Sequence, residues 1–157
     1  MSETIKRTDE AARIIKNNVG WSAAAGLAPF PLLDLVAISA VQIRMIKQLA
    51  DLYGIPFRKE LAKSLIGAAL GGGTAFAVAA PVGSMMKAIP GIGTFVSTFV
   101  TPAAAATATY ALGKVFTQHF DAGGTLLDMN PDTLRAHYYE EFSRRQGTAP
   151  QESPTAA

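Results

Sequence analysis

The sequence predicts an all-α fold: a helical bundle with a central, Ala/Gly-rich hydrophobic helical hairpin and amphipathic flanking helices. Three observations predict it. Between Lys63 and Lys114 the only charged residue is Lys87, which leaves two uncharged runs, Ser64–Met86 and Ala88–Gly113. Wound as a helix, each run is long enough to cross a hydrocarbon core of ~30 Å. The flanks place apolar residues three and four apart, the helical period, and no segment alternates as a strand would.

A chain of 157 residues reads as one domain. We place it over residues 1–147, with the hairpin at about 64–113 and the Pro/Ala/Ser/Gln-rich 148–157 as a disordered tail. The charged fraction is 17%, below the usual ~25%, and the deficit lies in the middle. The N-terminal third is basic and the C-terminal part acidic. The overall charge of +2 is too small and too dispersed to point to nucleic acid. There is no cysteine, which excludes disulfides and thiolate zinc sites. The polar N-terminus, Met1-Ser-Glu-Thr-Ile-Lys-Arg, lacks the apolar stretch of a secretory signal, so a start on the cytosolic side is expected.

Thr4–Val19 reads as a basic amphipathic helix. Ile5, Ala12, Ile15 and Val19 sit at helical spacing, with Lys6, Arg7, Arg13 and Lys16 around the rest. Those cations suit either a solvated surface helix or anionic headgroups. The stretch 20–31 breaks the pattern with Gly20, Gly26, Pro29 and Pro31. Trp21 within it fits a wet–apolar boundary or a tight helix corner equally.

Pro31–Tyr53 is the clearest helix. Pro31 suits a first turn, Gly54 the position after the last, and Pro56 blocks continuation. Leu35, Ile38, Gln42, Met45, Leu49 and Leu52 step by three and four, forming a heptad seam. Gln42 is its one polar member, either a register-setting residue between copies or an intramolecular contact. Asp34 near the start complements the helix dipole.

A third helix begins near Phe57, where Arg58, Lys59 and Lys63, with Glu60, form a charged collar. Gly67, Gly71, Ala75, Ala79 and Gly83 then recur every four residues. Gly93, Ser97, Thr101, Ala105, Thr109 and Gly113 repeat the spacing in the second run. Small residues at this interval let helix backbones approach closely. Pro81, Pro90 and Pro102 end or kink helices, and Ile89-Pro-Gly-Ile-Gly93 is the natural turn. Tyr110–Phe120 closes the second arm, and Gly123-Gly124 make a loop. Asn130-Pro131-Asp132 starts the last helix as cap, first turn and dipole partner. Leu134, Tyr138 and Phe142 form its apolar edge.

Catalytic patterns are missing. Gly71-Gly72-Gly73-Thr74 lacks the lysine of a phosphate-binding loop, and Gly91-Ile-Gly93 lacks a strand–turn–helix context. No serine occupies a nucleophile elbow. His137 and Glu141, with His119 and Asp121, are the only grouping that suggests a metal, and they lack a metal-binding pattern. We expect no enzyme, no cofactor and no small-molecule substrate.

Pro29-Phe-Pro-Leu-Leu-Asp34, Gln42-Ile-Arg-Met-Ile-Lys-Gln-Leu-Ala-Asp-Leu-Tyr-Gly54, Ile89-Pro-Gly-Ile-Gly93 and Tyr110-Ala-Leu-Gly-Lys-Val-Phe-Thr-Gln-His-Phe120 with Gly123-Gly124 resemble an uncharacterised bacterial helical domain family. It occurs in YcjF-type inner-membrane proteins and at the C-terminus of some Era-like GTPases. The resemblance spans roughly residues 5–145. It implies a bacterial origin, hydrophobic helices and association with membranes or membrane-linked GTPases, and it supplies no catalytic residues.

The expectation is therefore a non-enzymatic protein of the bacterial inner membrane that inserts its hairpin, self-associates and keeps its termini cytosolic. Lys6, Arg7, Arg13, Lys16, Arg58, Lys59 and Lys63 would lie at the membrane surface. The alternatives are a cytoplasmic or peripheral helical adaptor docking a partner such as a GTPase, and a pore-forming or membrane-remodelling protein.

Overall fold

Proline and glycine set most of the helix ends. The computed structural model describes residues 1–25, 31–71 and 102–148, which form five helices and, among the described residues, no strand. These are α1 (Ser2–Ala25), α2 (Pro31–Tyr53), α3 (Lys59–Gly71), α4 (Pro102–Asp121) and α5 (Pro131–Thr148). Three of them open on proline, whose missing N–H costs nothing in a first turn. α2 ends where Gly54 takes φ +68°. The Ile55 amide donates to the Ala50 carbonyl at 2.8 Å and the Gly54 amide to Asp51 at 3.2 Å, so two orphan carbonyls are satisfied. α4 ends the same way at Gly123 and Gly124, whose amides bond to Phe120 and His119. α5 is capped by Asn130, whose Oδ1 accepts from the amides of Asp132 (2.9 Å) and Thr133 (3.1 Å). Met129 before the cap and Leu134 in the first turn are both buried, which fixes the angle of entry.

α1 runs past its expected end at Val19. Gly20 weakens a helix without stopping it, and Trp21-Ser-Ala-Ala-Ala25 carries it on. Its buried stripe is Ala11, Ile15, Asn18 and Ser22, not Ile5, Ala12, Ile15 and Val19. Ile5 is exposed below the start of this stripe, and Val19 is only partly buried against the core.

Side-chain pairings give the directions. Asn18 meets Gln48 and Arg7 lies over Tyr53, so α1 and α2 are antiparallel. Gln42 meets Thr109 and Tyr53 meets Asp121, so α2 and α4 are parallel. Gln118 meets Glu141 and Arg145 lies over Tyr110, so α5 returns along α4. α3 turns back from α2 through the short Gly54–Arg58 link. The ends at Ala25, Pro31, Gly71, Pro102 and Thr148 thus point to one side, here called upper, with Gly71 and Thr148 stopping short of Pro102. Tyr53, Lys59, Asp121 and Pro131 share the lower end.

The core draws on all five helices: Ala11 and Ile15; Met45, Ile46 and Leu49; Leu65 and Ile66; Leu112 and Phe116; Leu134 and Tyr138. Fully burying one of the larger side chains contributes about 1.5–3 kcal/mol. The heptad seam of α2 faces this core. Ile38, Gln42, Met45 and Leu49 are buried and Leu52 is half-buried. Asp34 and Leu35 precede Val36, where the described side chains of α2 begin. The seam is an internal face rather than a free surface for a second copy. α1, α2 and α4 close on one point: a Cβ placed on Gly113 would lie 2.8 Å from Ile15 Cγ1 and 3.1 Å from Met45 Sδ.

The lower end is tied by polar contacts. Tyr53 Oη donates to Asp121 Oδ1 at 2.7 Å, with the Arg7 guanidinium 5.6 Å from the ring centre. Burial, then the Asp121 carboxylate, hold the Tyr53 hydroxyl well above its ordinary pKa. His119 Nε2 lies 2.9 Å from both the Thr125 carbonyl and Asp128 Oδ1. Both partners are acceptors, so Nε2 carries the proton. Gly124 lets the His119 ring approach, since a Cβ there would collide with it. The Thr125 amide, then the His119 ring, hold the Asp128 carboxyl below its ordinary range.

Two outcomes follow. Gly113→Leu should cost roughly 1–3 kcal/mol by over-packing, whereas Gly20→Ala, with nothing within 4 Å of its Cβ, should be neutral or stabilising; thermal melts by circular dichroism compare them. Asp128 has a depressed folded pKa, so its contribution is present above the unfolded aspartate value of 3.8 and lost as pH falls through the folded value. Wild type should therefore melt above Asp128→Asn at neutral pH, and the two should converge in acid below that value. A gap that persists there would exclude the carboxylate as its source.

Candidate functional site

The contact at Gly113 divides the bundle into two unlike halves. Lys16, Arg44 and Lys114 each adjoin a residue of that contact in sequence, so they mark one level around it. Above it, α1 has no charge from Asn17 to Ala25, α3 none from Ser64 to Gly71 and α4 none from Pro102 to Gly113; α2 has only Asp34 before Arg44. From Gly113 to Pro102, α4 rises ~16 Å at 1.5 Å per residue. At the end of α5, Arg145 reaches Tyr110 just above this level, while Glu141 meets Gln118 below it. Glu141 is buried and accepts from Gln118 Nε2 at 3.3 Å and Arg144 Nη1 at 3.2 Å.

At and above this level, neutral polar side chains hold α1, α2 and α4 together. Ser22 Oγ and Thr109 Oγ1 share a 2.7 Å hydrogen bond, and Gln42 Nε2 reaches Thr109 Oγ1 at 3.4 Å. Asn18 Nδ2 donates to the Ile14 carbonyl at 2.8 Å and to Gln48 Oε1 at 2.7 Å. Asn18 Oδ1 and Gln42 Oε1 are buried without a partner. This arrangement has no acid, base or activated nucleophile. The partner of Ser22 is another hydroxyl, which cannot take its proton. Its effect is mechanical.

The expected site residues fall in different places. Gly67 is buried in α3, and Gly71 ends that helix; Ala75, Ala79 and Gly83 lie outside the described residues, as does the turn at 89–93. Among the described residues, α3 packs on α5 and α2 rather than pairing with α4. Lys6, Arg7, Arg13 and Lys16 are exposed on α1, where Arg13 pairs with Glu10 at 3.4 Å. Lys63 pairs with Glu60 at 3.3 Å. Arg58 and Lys59 sit at the lower end, with Lys59 ~18 Å below Gly71. Trp21 (60% exposed) and Val36 (69%) project from the upper half, while Ile5 and Leu127 are exposed at the lower end. His119, in the last turn of α4, is held by the α4–α5 loop, His137 is exposed, and no three His, Asp or Glu side chains gather to hold a metal among the described residues.

Asn18, Ser22, Gln48 and Thr109 were not singled out from the sequence as a polar group. A signal was present in α1: Ala11, Ile15, Asn18 and Ser22 step by four, three and four, a helical stripe whose upper members are polar.

Gln42→Leu tests the seam. It removes an unpartnered buried oxygen at similar volume and leaves Thr109 bonded to Ser22. The variant should gain roughly 1 kcal/mol in chemical denaturation. A loss of that size would mean that the Gln42 amide does more than its long bond to Thr109 suggests.

No solved structure matches the chain. It is similar to Magnetosome membrane protein 22 of Magnetospirillum gryphiswaldense, with 36% identity over 151 residues, covering 94% of this chain and 76% of that protein. The family model described as "Domain of unknown function (DUF697)" matches residues 2–145. Five helices in one bundle, matched along nearly their whole length, place this chain in the DUF697 family.

Proposed function

We propose that the protein is a non-enzymatic, membrane-associated helical protein whose bundle delivers its uncharged central run to a bilayer. One observation carries this reading. α3 leaves at Gly71 and α4 returns at Pro102, both heading to the upper side, and the 72–101 sequence between them holds one charge, Lys87. Trp21 and Val36, exposed in the same half, fit a boundary between water and lipid. The name of the magnetosome membrane relative supports the same reading. Among the described residues, no helix is long and apolar enough to cross a membrane, so insertion falls to the run between them.

The upper side then faces the bilayer of a bacterial inner membrane; the lower end, with Arg58, Lys59 and the N-terminus, points away from it into the cytosol, and the tail after Thr148 stays on the cytosolic side as well. Self-association is assigned to the small-residue stripe from Gly71 through Gly83, since Gly67 and the α2 seam are used inside the chain. Carbonate extraction of bacterial membranes tests the proposal. The protein should stay in the pellet and be released by detergent. Monodisperse protein in the detergent-free soluble fraction would sink insertion and favour a helical adaptor docking a partner such as a GTPase.

A further inference from the structure

A groove of about 370 Å³ lies between α1 and α4, with the end of α5 at its edge. Much of its lining is apolar: Ala12, Ile15 and Val19 on α1, and Tyr110 on α4. Lys16 and Lys114 line it from either helix, and among the described residues neither has an ion-pair partner. No carboxylate lines the groove among those residues. Thr117 lines it too; it is only 7% exposed, and its hydroxyl has no hydrogen-bond partner. The groove therefore lacks two things an occupant would supply, a carboxylate for the lysines and a polar group for Thr117. Arg145 marks where α5 meets it, with its guanidinium 4.0 Å from the centre of the Tyr110 ring.

We propose that this groove is the docking site of the chain's own tail, residues 149–157, with Glu152 set between Lys16 and Lys114. Reach, charge and composition select this occupant. α5 ends at Thr148, three residues past Arg145, so the tail starts beside the groove. Pro150 keeps the helix from continuing. From Thr148 to Glu152 an extended chain spans ~13 Å, and Lys114 lies only one turn, ~6 Å, below Tyr110. From Gln146 to Ala157 the single charged residue is Glu152, so the tail brings one carboxylate to the two lysines. Pro150 and Pro154 favour the extended polyproline form, which loses little entropy on docking and suits a groove with an aromatic wall. Its free backbone carbonyls can accept from Thr117. With the tail seated, α1 is tied to α5 across α4. The proposal does not depend on the membrane reading.

The chain has no cysteine, so an introduced pair reports one proximity. Ala12 lines the groove one turn below Lys16, whereas Asn17, also exposed on α1, does not line it. Ala12→Cys and Asn17→Cys are each combined with Ser153→Cys in full-length protein in an uncharged detergent. Disulfide formation is followed on non-reducing gels, with each rate scaled to the thiol's own reaction with a soluble disulfide. Ala12→Cys/Ser153→Cys should close within one chain roughly tenfold or more faster than Asn17→Cys/Ser153→Cys. Adding Glu152→Gln, which alters no residue of the five helices, should slow that closure roughly threefold, and Lys114→Gln should do the same. The exchange Lys114→Glu with Glu152→Lys should restore it. If the Lys114 variants do not fold by circular dichroism, Glu152→Gln decides alone. Equal rates for the two pairs overturn the proposal, as does closure that ignores Glu152→Gln. Disulfides that join two chains would place the tail in a second copy's groove and overturn its assignment to its own. Each of these results leaves the membrane reading standing.

Discussion

The close approach of α1, α2 and α4 at Gly113 is the constraint on which the other contacts depend. With no side chain there, Ile15 and Met45 lie against the α4 backbone, and three helices meet within van der Waals distance. That contact fixes the height of each helix against the others. It brings Ser22 and Gln42 level with Thr109 a turn above, and Tyr53 level with Asp121 two turns below. A shift of one residue along α4 would undo both sets of polar pairings, because each links particular side chains and not a general apolar surface.

The halves on either side of Gly113 are held by different forces. Below it the core is aromatic and aliphatic. Phe116, Phe120, Leu49, Leu126 and Leu134 are buried, and Phe116 and Phe120 meet edge to face with ring centres 5.8 Å apart. Above it, α1 and α4 offer Ser22, Ala105 and Thr109, small side chains that bury little apolar area each. Hydrogen bonds between neutral groups take over there. Their net contribution is modest, about 1 kcal/mol apiece, but they are directional, so they select one arrangement among several of similar packing energy.

Much of the fold was legible in the sequence, because the signals were local. Gly54 with Pro56, and Asn130 with Pro131 and Asp132, each satisfy a specific backbone need that no tertiary contact has to supply. The period of α2 was legible because Ile38, Met45 and Leu49 are large enough to stand out. α1 was harder. Its inward stripe ends in Asn18 and Ser22, which read as surface residues until Gln48 and Thr109 are known to face them, and those partners lie 30 and 87 positions away. The level shared by Lys16, Arg44 and Lys114 was hidden for the same reason: three cations scattered through the chain become one tier only when the register at Gly113 is known. The seam on α2 showed the opposite limit. Its period was plain, but a period cannot say whether the face it draws meets the same chain or another copy.

The division of forces also bears on where the upper half resides. The hydrophobic effect holds a bundle half together where water surrounds it. Lipid removes that drive between helices, since hydrocarbon is as apolar as the side chains that would be buried. A half-bundle entering lipid must then be held by close packing and by lateral hydrogen bonds. The upper half has both: small residues such as Ala105 on α4, and Ser22, Gln42 and Thr109 bonded across three helices. None of these three is ionisable, so none adds the cost of a charge carried into hydrocarbon. The neutral seam is the form of internal bonding that holds in either medium, and it begins where the charges on α1 and α4 stop.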